Sequence, residues 1–375
     1  MKSGIVSINL HTGRLNYGAV LHSWMFQQLM LRRADMDECE ILDYLPDAKR
    51  DFNPYTHFIR QKSIRNPAKF LGAALITPGF VLRYRRFQRF FREHLRVSDV
   101  QYTRQKLEEA APPCDIIFFE SDVIWSPRYF KGSFDPVFFG APAGMRPIPK
   151  IAYSASMDQA DLTPAQAEEL RELLKLPEYI SMRERYASEI VRKLTDKPVA
   201  DVVDPVLLVD PADFDPITAP RRVRGRYLLA YYTVNPEPWM PERVDAYAKA
   251  HGLKVVEVSI FTHHKLKHRT FTASSIGEFL SLLRNAEAVF SNSLHGTCLS
   301  LLYHREFYAM EHSRGGRKYR DLCEKFGLSD RYIRRNDAIP AAPIDWESVD
   351  GLRAKYREES LAWLDKALRE IGGEL

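Results

Sequence analysis

Short apolar runs alternate along this chain with stretches whose apolar residues recur every three or four positions. The first pattern predicts strands and the second predicts helices. "GIVSINL" reads as a strand and "AVLHSWMFQQLMLRRA" as the helix after it. "CEILDYL" is a second strand, and the basic segment through Arg96 reads as a helix. "CDIIFFE" is apolar on both faces, as a buried strand requires. "KIAYSAS" follows, then a helix in "TPAQAEELRELLKL", with Thr163 as N-cap and Pro164 at the first helical position. "YISMRE" is a strand, "RYASEIVRKLT" a helix, and "VADVVDPVLLVD" closes the first half.

The segment "PADFDPITAPRRVRGR" breaks the rhythm with Pro, Asp and Arg, and reads as a linker. The alternation then restarts. "YLLAYYTV", "LKVVEVSI", "EAVFSN" and "EFYAM" are strands. "PERVDAYAKAHG", "SSIGEFLSLLRNA", a stretch from Gly296 and "KYRDLCEKFG" are helices. The end, "DWESVDGLRAKYREESLAWLDKALREIG", is one or two amphipathic helices. Repeated β–α units give mostly parallel sheets with helices on both faces. The fold class is therefore α/β, with two Rossmann-like domains facing across a cleft and a C-terminal helical segment. The expected boundaries are 1–215, a linker at 216–225, 226–343 and 344–375.

At 375 residues, 45% hydrophobic and 27% charged, the chain suits a globular protein of two domains. The N-terminal apolar stretch is short and reads as a strand rather than a leader. No apolar run reaches the roughly 18 residues of a membrane span. Four scattered cysteines form no C-x-x-C pair, which fits a reducing, cytoplasmic compartment. "FTHHKLKH", with His263, His264 and His268, reads as a polar loop rather than a metal site.

The net charge of +5 is unevenly placed, with ten Lys or Arg and one acid, Glu93, between Arg60 and Arg96. A solvated helix face is one reading of that segment. Nucleic acid is a weak one, because no groove-reading or stacking motif accompanies the charge. The third is contact with an anionic membrane, since Phe87, Phe90 and Phe91 alternate with Arg85, Arg86, Arg89 and Arg92.

Doubly wound sheets bind ligands beyond the carboxyl ends of their strands, and four polar clusters fall there. In "AVFSNSLHG", Asn292 or Ser293 caps a helix whose first turn holds Leu294, His295 and Gly296, an anion site by its free N–H groups. In "EYISMRER", Arg183 can grip a phosphate or carboxylate, and Glu184 can act as a base or orient the arginine. "CDIIFFESDVIWSP" delivers Glu120, Ser121 and Asp122 for acid–base or hydroxyl-binding work, with Trp125 as a sugar-stacking face or plain core. "GRLNYGAV" offers Asn16, Tyr17 and Gly18 to a hydroxylated ligand and lacks the dinucleotide fingerprint. Lys318 joins the substrate-binding set.

Taken in order, these pieces resemble the polysaccharide pyruvyltransferase family. "NYGAVLHSWMFQQL" looks like its N-terminal loop and helix, and "ESDVIWSP" is similar to its G-S-D-Q-x-W-[NS]-P motif. "ISMRER", "DVVDPVLLV" and "SNSLHG" resemble its S-V-R-E, D-P-T-L-L-L and T-D-S-F-H-G stretches. Glu120, Val123 and Asn292 depart from the pattern. The resemblance implies the GT-B arrangement of two domains, with the acceptor on the first and phosphoenolpyruvate (PEP) on the second. It implies transfer of pyruvate from PEP to two sugar hydroxyls as a cyclic ketal, with phosphate released and no cofactor or metal. In that family the residues matching Arg183 and His295 contact PEP. His295 is then the expected acid, and Glu184 or Asp122 the expected base. The implied partners are PEP and a sugar or lipid-linked oligosaccharide at the inner face of the plasma membrane. Rival readings are a GT-B sugar-nucleotide glycosyltransferase and a non-catalytic carbohydrate-binding protein.

Overall fold

Strands apolar on both faces can only be satisfied between layers of helices, and the chain builds two such sheets. The computed structural model describes residues 1–8, 10–11, 15–57, 67–159, 161–259, 267–313 and 316–373. The first sheet holds β1 (Lys2–Val6), β2 (Glu38–Tyr44), β3 (Val97–Tyr102), β4 (Ile116–Glu120), β5 (Lys150–Ala155), β6 (Tyr179–Met182) and β7 (Val199–Asp201). Its helices are α1 (Tyr17–Leu31), α2 (Pro67–His94), α3 (Arg104–Glu109), α4 (Pro164–Leu173) and α5 (Arg185–Arg192). The second sheet holds β8 (Tyr227–Tyr231), β9 (Lys254–Val258), β10 (Arg269–Phe271), β11 (Ala288–Ser291), β12 (Glu306–Met310) and β13 (Tyr332–Ile333). Its helices are α6 (Trp239–His251), α7 (Ile276–Arg284), α8 (Leu294–Leu302) and α9 (Arg317–Lys325), and α10 (Trp346–Gly372) ends the chain.

All pairings are parallel, in the orders β3-β2-β1-β4-β5-β6-β7 and β10-β9-β8-β11-β12-β13. Both orders reverse direction beside their first strand. One switch point lies between β1 and β4, with Ser3 opposite Ile116. The other lies between β8 and β11, with Leu228 opposite Ala288. Two Rossmann-like lobes follow, as expected.

A continuous apolar core joins the lobes along one side of α1. The Tyr17 ring stacks on Phe279 at 4.4 Å, and its hydroxyl donates to Ser274 O at 2.9 Å. The proline-rich segment after β7 is pinned to both lobes, through Arg32–Asp213 at 2.7 Å and Ala219 N to Gly277 O at 3.1 Å. The C-terminal region is one helix, α10, which returns to the first lobe. Val203 N donates to Ser360 Oγ at 3.1 Å, and Trp363 lies 6.2 Å from the Tyr153 ring.

Four short elements escape the apolar pattern. β3 and β10 are edge strands whose side chains are half-exposed or exposed apart from the buried Tyr102, β13 has two residues, and α3 buries one, Leu107. The basic segment needs a correction. Phe87, Phe90 and Phe91 are buried in the core, so the aromatic face of α2 points inward. Arg83 is buried with them, over the Tyr17 ring and donating to Leu15 O at 2.7 Å. Arg86 crosses to the second lobe and pairs with Glu278 at 2.7 Å. Arg85, Arg89 and Arg92 are exposed. Arg60, like His263 and His264, lies outside the described residues. His268 is buried, 2.7 Å from Asp245 and 3.6 Å from Glu257. Among the described residues no cluster of three or more His, Cys, Asp or Glu is placed to hold a metal.

Candidate functional site

Both switch points open on one cavity of about 590 Å³. Asn16 and Asp122 reach it from the ends of β1 and β4, and Thr233, Asn292, Ser293, Leu294 and His295 from the ends of β8 and β11. Arg128, Asp158, Asp161, Arg183, Arg317 and Lys318 complete its charged lining.

Local sequence explains the walls. Ser293 is the N-cap of α8 and accepts from Gly296 N at 3.4 Å, so the helix starts at Leu294 with His295 in its first turn. Asn292 fixes the neighbouring loop by accepting from Thr233 N at 2.9 Å and donating to Val234 O at 3.2 Å. α9 begins at Arg317 on the same cavity, so two helix starts and their unpaired N–H groups face it. On the opposite wall, Ser121 and Asp122 take φ values of 47° and 54°, a left-handed pair disfavoured for residues with a Cβ. That turn carries Asp122 from the buried β4 into the cavity.

Below the surface lies a buried charge network. Arg183 donates through Nε to Glu184 at 2.8 Å and through Nη1 to Asp204 at 2.7 Å and Ser121 at 3.1 Å. Its Nη2 donates to Ser156 at 2.9 Å. Burial disfavours the guanidinium, but Glu184 and Asp204 outweigh it and raise its pKa. Asp204 Oδ2 also lies 3.3 Å from His295 Nε2, in contact but without hydrogen-bond geometry. Against burial, His295 and Arg183 hold the Asp204 carboxyl well below the usual range. His22, on α1, stacks under His295 with ring centroids 5.3 Å apart. Its Nδ1 meets Glu120 at 2.7 Å, and Ser23 donates to the other Glu120 oxygen at 2.8 Å. Burial pulls the His22 pKa down, and Glu120 more than reverses that, so it is raised.

The expected residues therefore divide. Asn16, Asp122, Arg183, Ser293, Leu294, His295 and Lys318 line the cavity. Tyr17 does not; it is fully buried in the seam against Phe279. Trp125 is fully buried, donating to Phe138 O at 3.0 Å and stacked on Phe139, so it offers no sugar face. Glu120 is sealed in with His22, and Ser121 is buried against Arg183. Glu184 sits behind Arg183, bonded to it and to Ser156 Oγ at 2.8 Å. That location suits an orienting group rather than a base in the cavity. Gly18 and Gly296 permit close packing rather than ligand approach. A Cβ at Gly296 would lie 2.5 Å from Ser291 Oγ.

Sequence reasoning missed His22, Asp204, Arg128, Asp158 and Arg317. Asp204 was visible as the residue before Pro205 in "DVVDPVLLV". His22 stood among apolar helix residues and carried no signal. Chemically, the cavity combines cations from both lobes with acids, of which Asp122 lies in the turn after β4. Asp122 stays charged because Lys318, and then His22, His295 and Arg183, outweigh its burial. Burial lowers the Lys318 pKa.

A family model described as polysaccharide pyruvyl transferase matches residues 16–314. No curated protein sequence matches the chain. Among solved structures, a Listeria monocytogenes protein assigned as a UDP-N-acetylglucosamine 2-epimerase is similar at TM-score 0.53 and 11% identity, over 99% of this chain and 98% of that one. The UDP-GlcNAc 2-epimerase of Methanocaldococcus jannaschii is similar at TM-score 0.47 and 10% identity, over 94% of this chain and 91% of that one. At such identity the likeness concerns the fold, which is of the GT-B type.

Proposed function

Because the chain belongs to the polysaccharide pyruvyl transferase family, we propose that it moves the pyruvyl group of PEP onto two hydroxyls of one sugar in a cell-surface or capsular polysaccharide precursor. The products are a cyclic pyruvate ketal and phosphate. The acceptor of this reading is a lipid-linked oligosaccharide, met at the cytoplasmic face of the plasma membrane.

The observation that carries the reading is the convergence of His295, Arg183, Arg317 and Lys318 with two helix starts on one cavity. PEP brings a phosphate and a carboxylate, and such a cluster binds both. Lys318, Arg317 and the α8 start hold the phosphate. One Arg183 Nη2 hydrogen lies beyond its Ser156 bond and serves the carboxylate. His295 delivers a proton to the PEP methylene carbon, which leaves an oxocarbenium-like centre at C2. A sugar hydroxyl adds there and yields its proton to Asp122. The C–O bond to phosphate then breaks, phosphate departs with its electron pair, and the second hydroxyl closes the ring with loss of its proton. Fixed cations stabilise the departing phosphate without reorganising. Glu184 and Asp204 orient Arg183 and His295. The chemistry requires neither metal nor nucleotide.

The test is phosphate release from PEP by the purified protein, with a panel of glycan acceptors and detection of the pyruvate ketal by mass. His295→Ala and Asp122→Asn are expected to lower the rate about 100-fold or more. Near-normal transfer by His295→Ala would remove the histidine from this role.

A further inference from the structure

The outward face of α2 carries an exposed apolar surface. Among the described residues, the large exposed hydrophobics are Tyr55, Phe70, Leu71, Leu75, Leu82 and Val100, and four of the six are on α2. Leu71, Leu75, Pro78 and Leu82 follow one helical stripe, which continues as Arg85, Arg89 and Arg92. Leu71 and Leu75 are 62% and 67% exposed. The opposite face is committed to the fold through Phe80, Phe87 and Phe91, with Arg83 reaching the wall of the cavity region beside Asn16 and Asp122.

We propose that this stripe docks the protein on an anionic membrane surface. Its leucines enter the headgroup–acyl boundary, and Arg85, Arg89 and Arg92 meet lipid phosphates. Among the described residues no helix is long and apolar enough to cross a membrane, and the docking proposed is peripheral. The charge selects the occupant. Glu93 is the one acid between residues 67 and 96, and it pairs with Arg89 at 2.7 Å. A second copy packed on this face by two-fold symmetry would bury Arg85 and Arg92 without carboxylates to receive them. Anionic headgroups supply the missing charge. Because Arg83 on the opposite face of the same helix lines the cavity region, the docking brings the edge of that region toward the bilayer. Its tie to a lipid-linked acceptor rests on the pyruvyl-transfer reading, but the docking itself is measured without substrate, so the two can fail separately.

The experiment is co-sedimentation of the full chain with phosphatidylcholine vesicles, with and without phosphatidylglycerol. The wild type is expected to sediment with the anionic vesicles and not with the neutral ones. Leu71→Ser with Leu75→Ser, and separately Arg85→Gln with Arg92→Gln, are expected to weaken this by roughly tenfold or more while the melting temperature is unchanged. Absence of wild-type binding, or binding untouched by both pairs, overturns the proposal. So does a dimer that the leucine pair converts to monomer without any vesicle binding, because that assigns the face to a second copy.

Discussion

A Cβ on Gly18 would lie 2.1 Å from Cγ of His295. The first helix of one lobe thus passes across the imidazole of the other with room for hydrogen only. This contact, with the stack of His22 below the same ring, fixes the rotamer of His295 from the opposite lobe.

Gly18→Ala tests that constraint. The added methyl must push apart α1 and α8, and overpacking of this kind costs about 1–3 kcal/mol. We expect a lower melting temperature and a larger loss in kcat than in KM, because the ring moves within the site. A fully active, equally stable Gly18→Ala would show that the two helices are free to separate.

Asp204 joins Arg183 to His295, at 2.7 and 3.3 Å. Removing one partner of a buried charge network costs about 3–5 kcal/mol, so Asp204→Asn is expected to unfold at markedly lower denaturant. The Asp204 pKa is depressed in the folded state. Its contribution is therefore complete above the unfolded carboxylate value of about 4 and is lost as pH falls below it. The difference in unfolding free energy between wild type and Asp204→Asn should shrink in acid. A difference constant down to the acid limit would contradict the depressed carboxyl.

His22 has the opposite sign. Its folded pKa is raised, mainly because Glu120 outweighs burial. The stability it contributes is full below the unfolded histidine value of about 6.5 and falls as pH rises through the folded value. Unfolding curves of wild type and His22→Asn should converge in the alkaline range. Curves that diverge there would mean that His22 is neutral.

The first turns of the site were legible in the sequence because each follows an apolar run that only a buried strand explains. Asn16, Asp122, Ser293 and His295 were found that way, and all reach the cavity. The directions of side chains were not legible. The left-handed pair Ser121–Asp122 turns the chain by an amount that no pattern announces, so Trp125 faces inward although it follows the same motif. Phe87, Phe90 and Phe91 alternate with arginines along α2, a pattern that leaves open which side faces outward, and the structure buries all three phenylalanines. Asp204 precedes Pro205 within an apolar stretch that gives no sign of its role, and it is a cap that accepts from Val206 N at 3.1 Å.

Burial pushes the Asp321 carboxyl up to about 6, even though it accepts from Arg185 N at 2.8 Å. A raised carboxyl contributes stability below its unfolded value and loses it as pH climbs through the folded one. Asn keeps the acceptor and removes the charge. Allowing for solvent screening of this half-buried group, Asp321→Asn should add on the order of 1 kcal/mol near pH 8 and nothing near pH 4. Destabilisation by the variant at pH 8 would show that the charge is needed beside Arg183 and Glu184.

The central claim is that the cavity between the two switch points is built for PEP. Melting of the purified protein should be followed with PEP and, separately, with UDP- and GDP-sugars. PEP alone is expected to raise the melting temperature, by a shift that grows with its concentration and is lost in His295→Ala and Lys318→Ala. Stabilisation by a nucleotide sugar with no response to PEP would contradict the account.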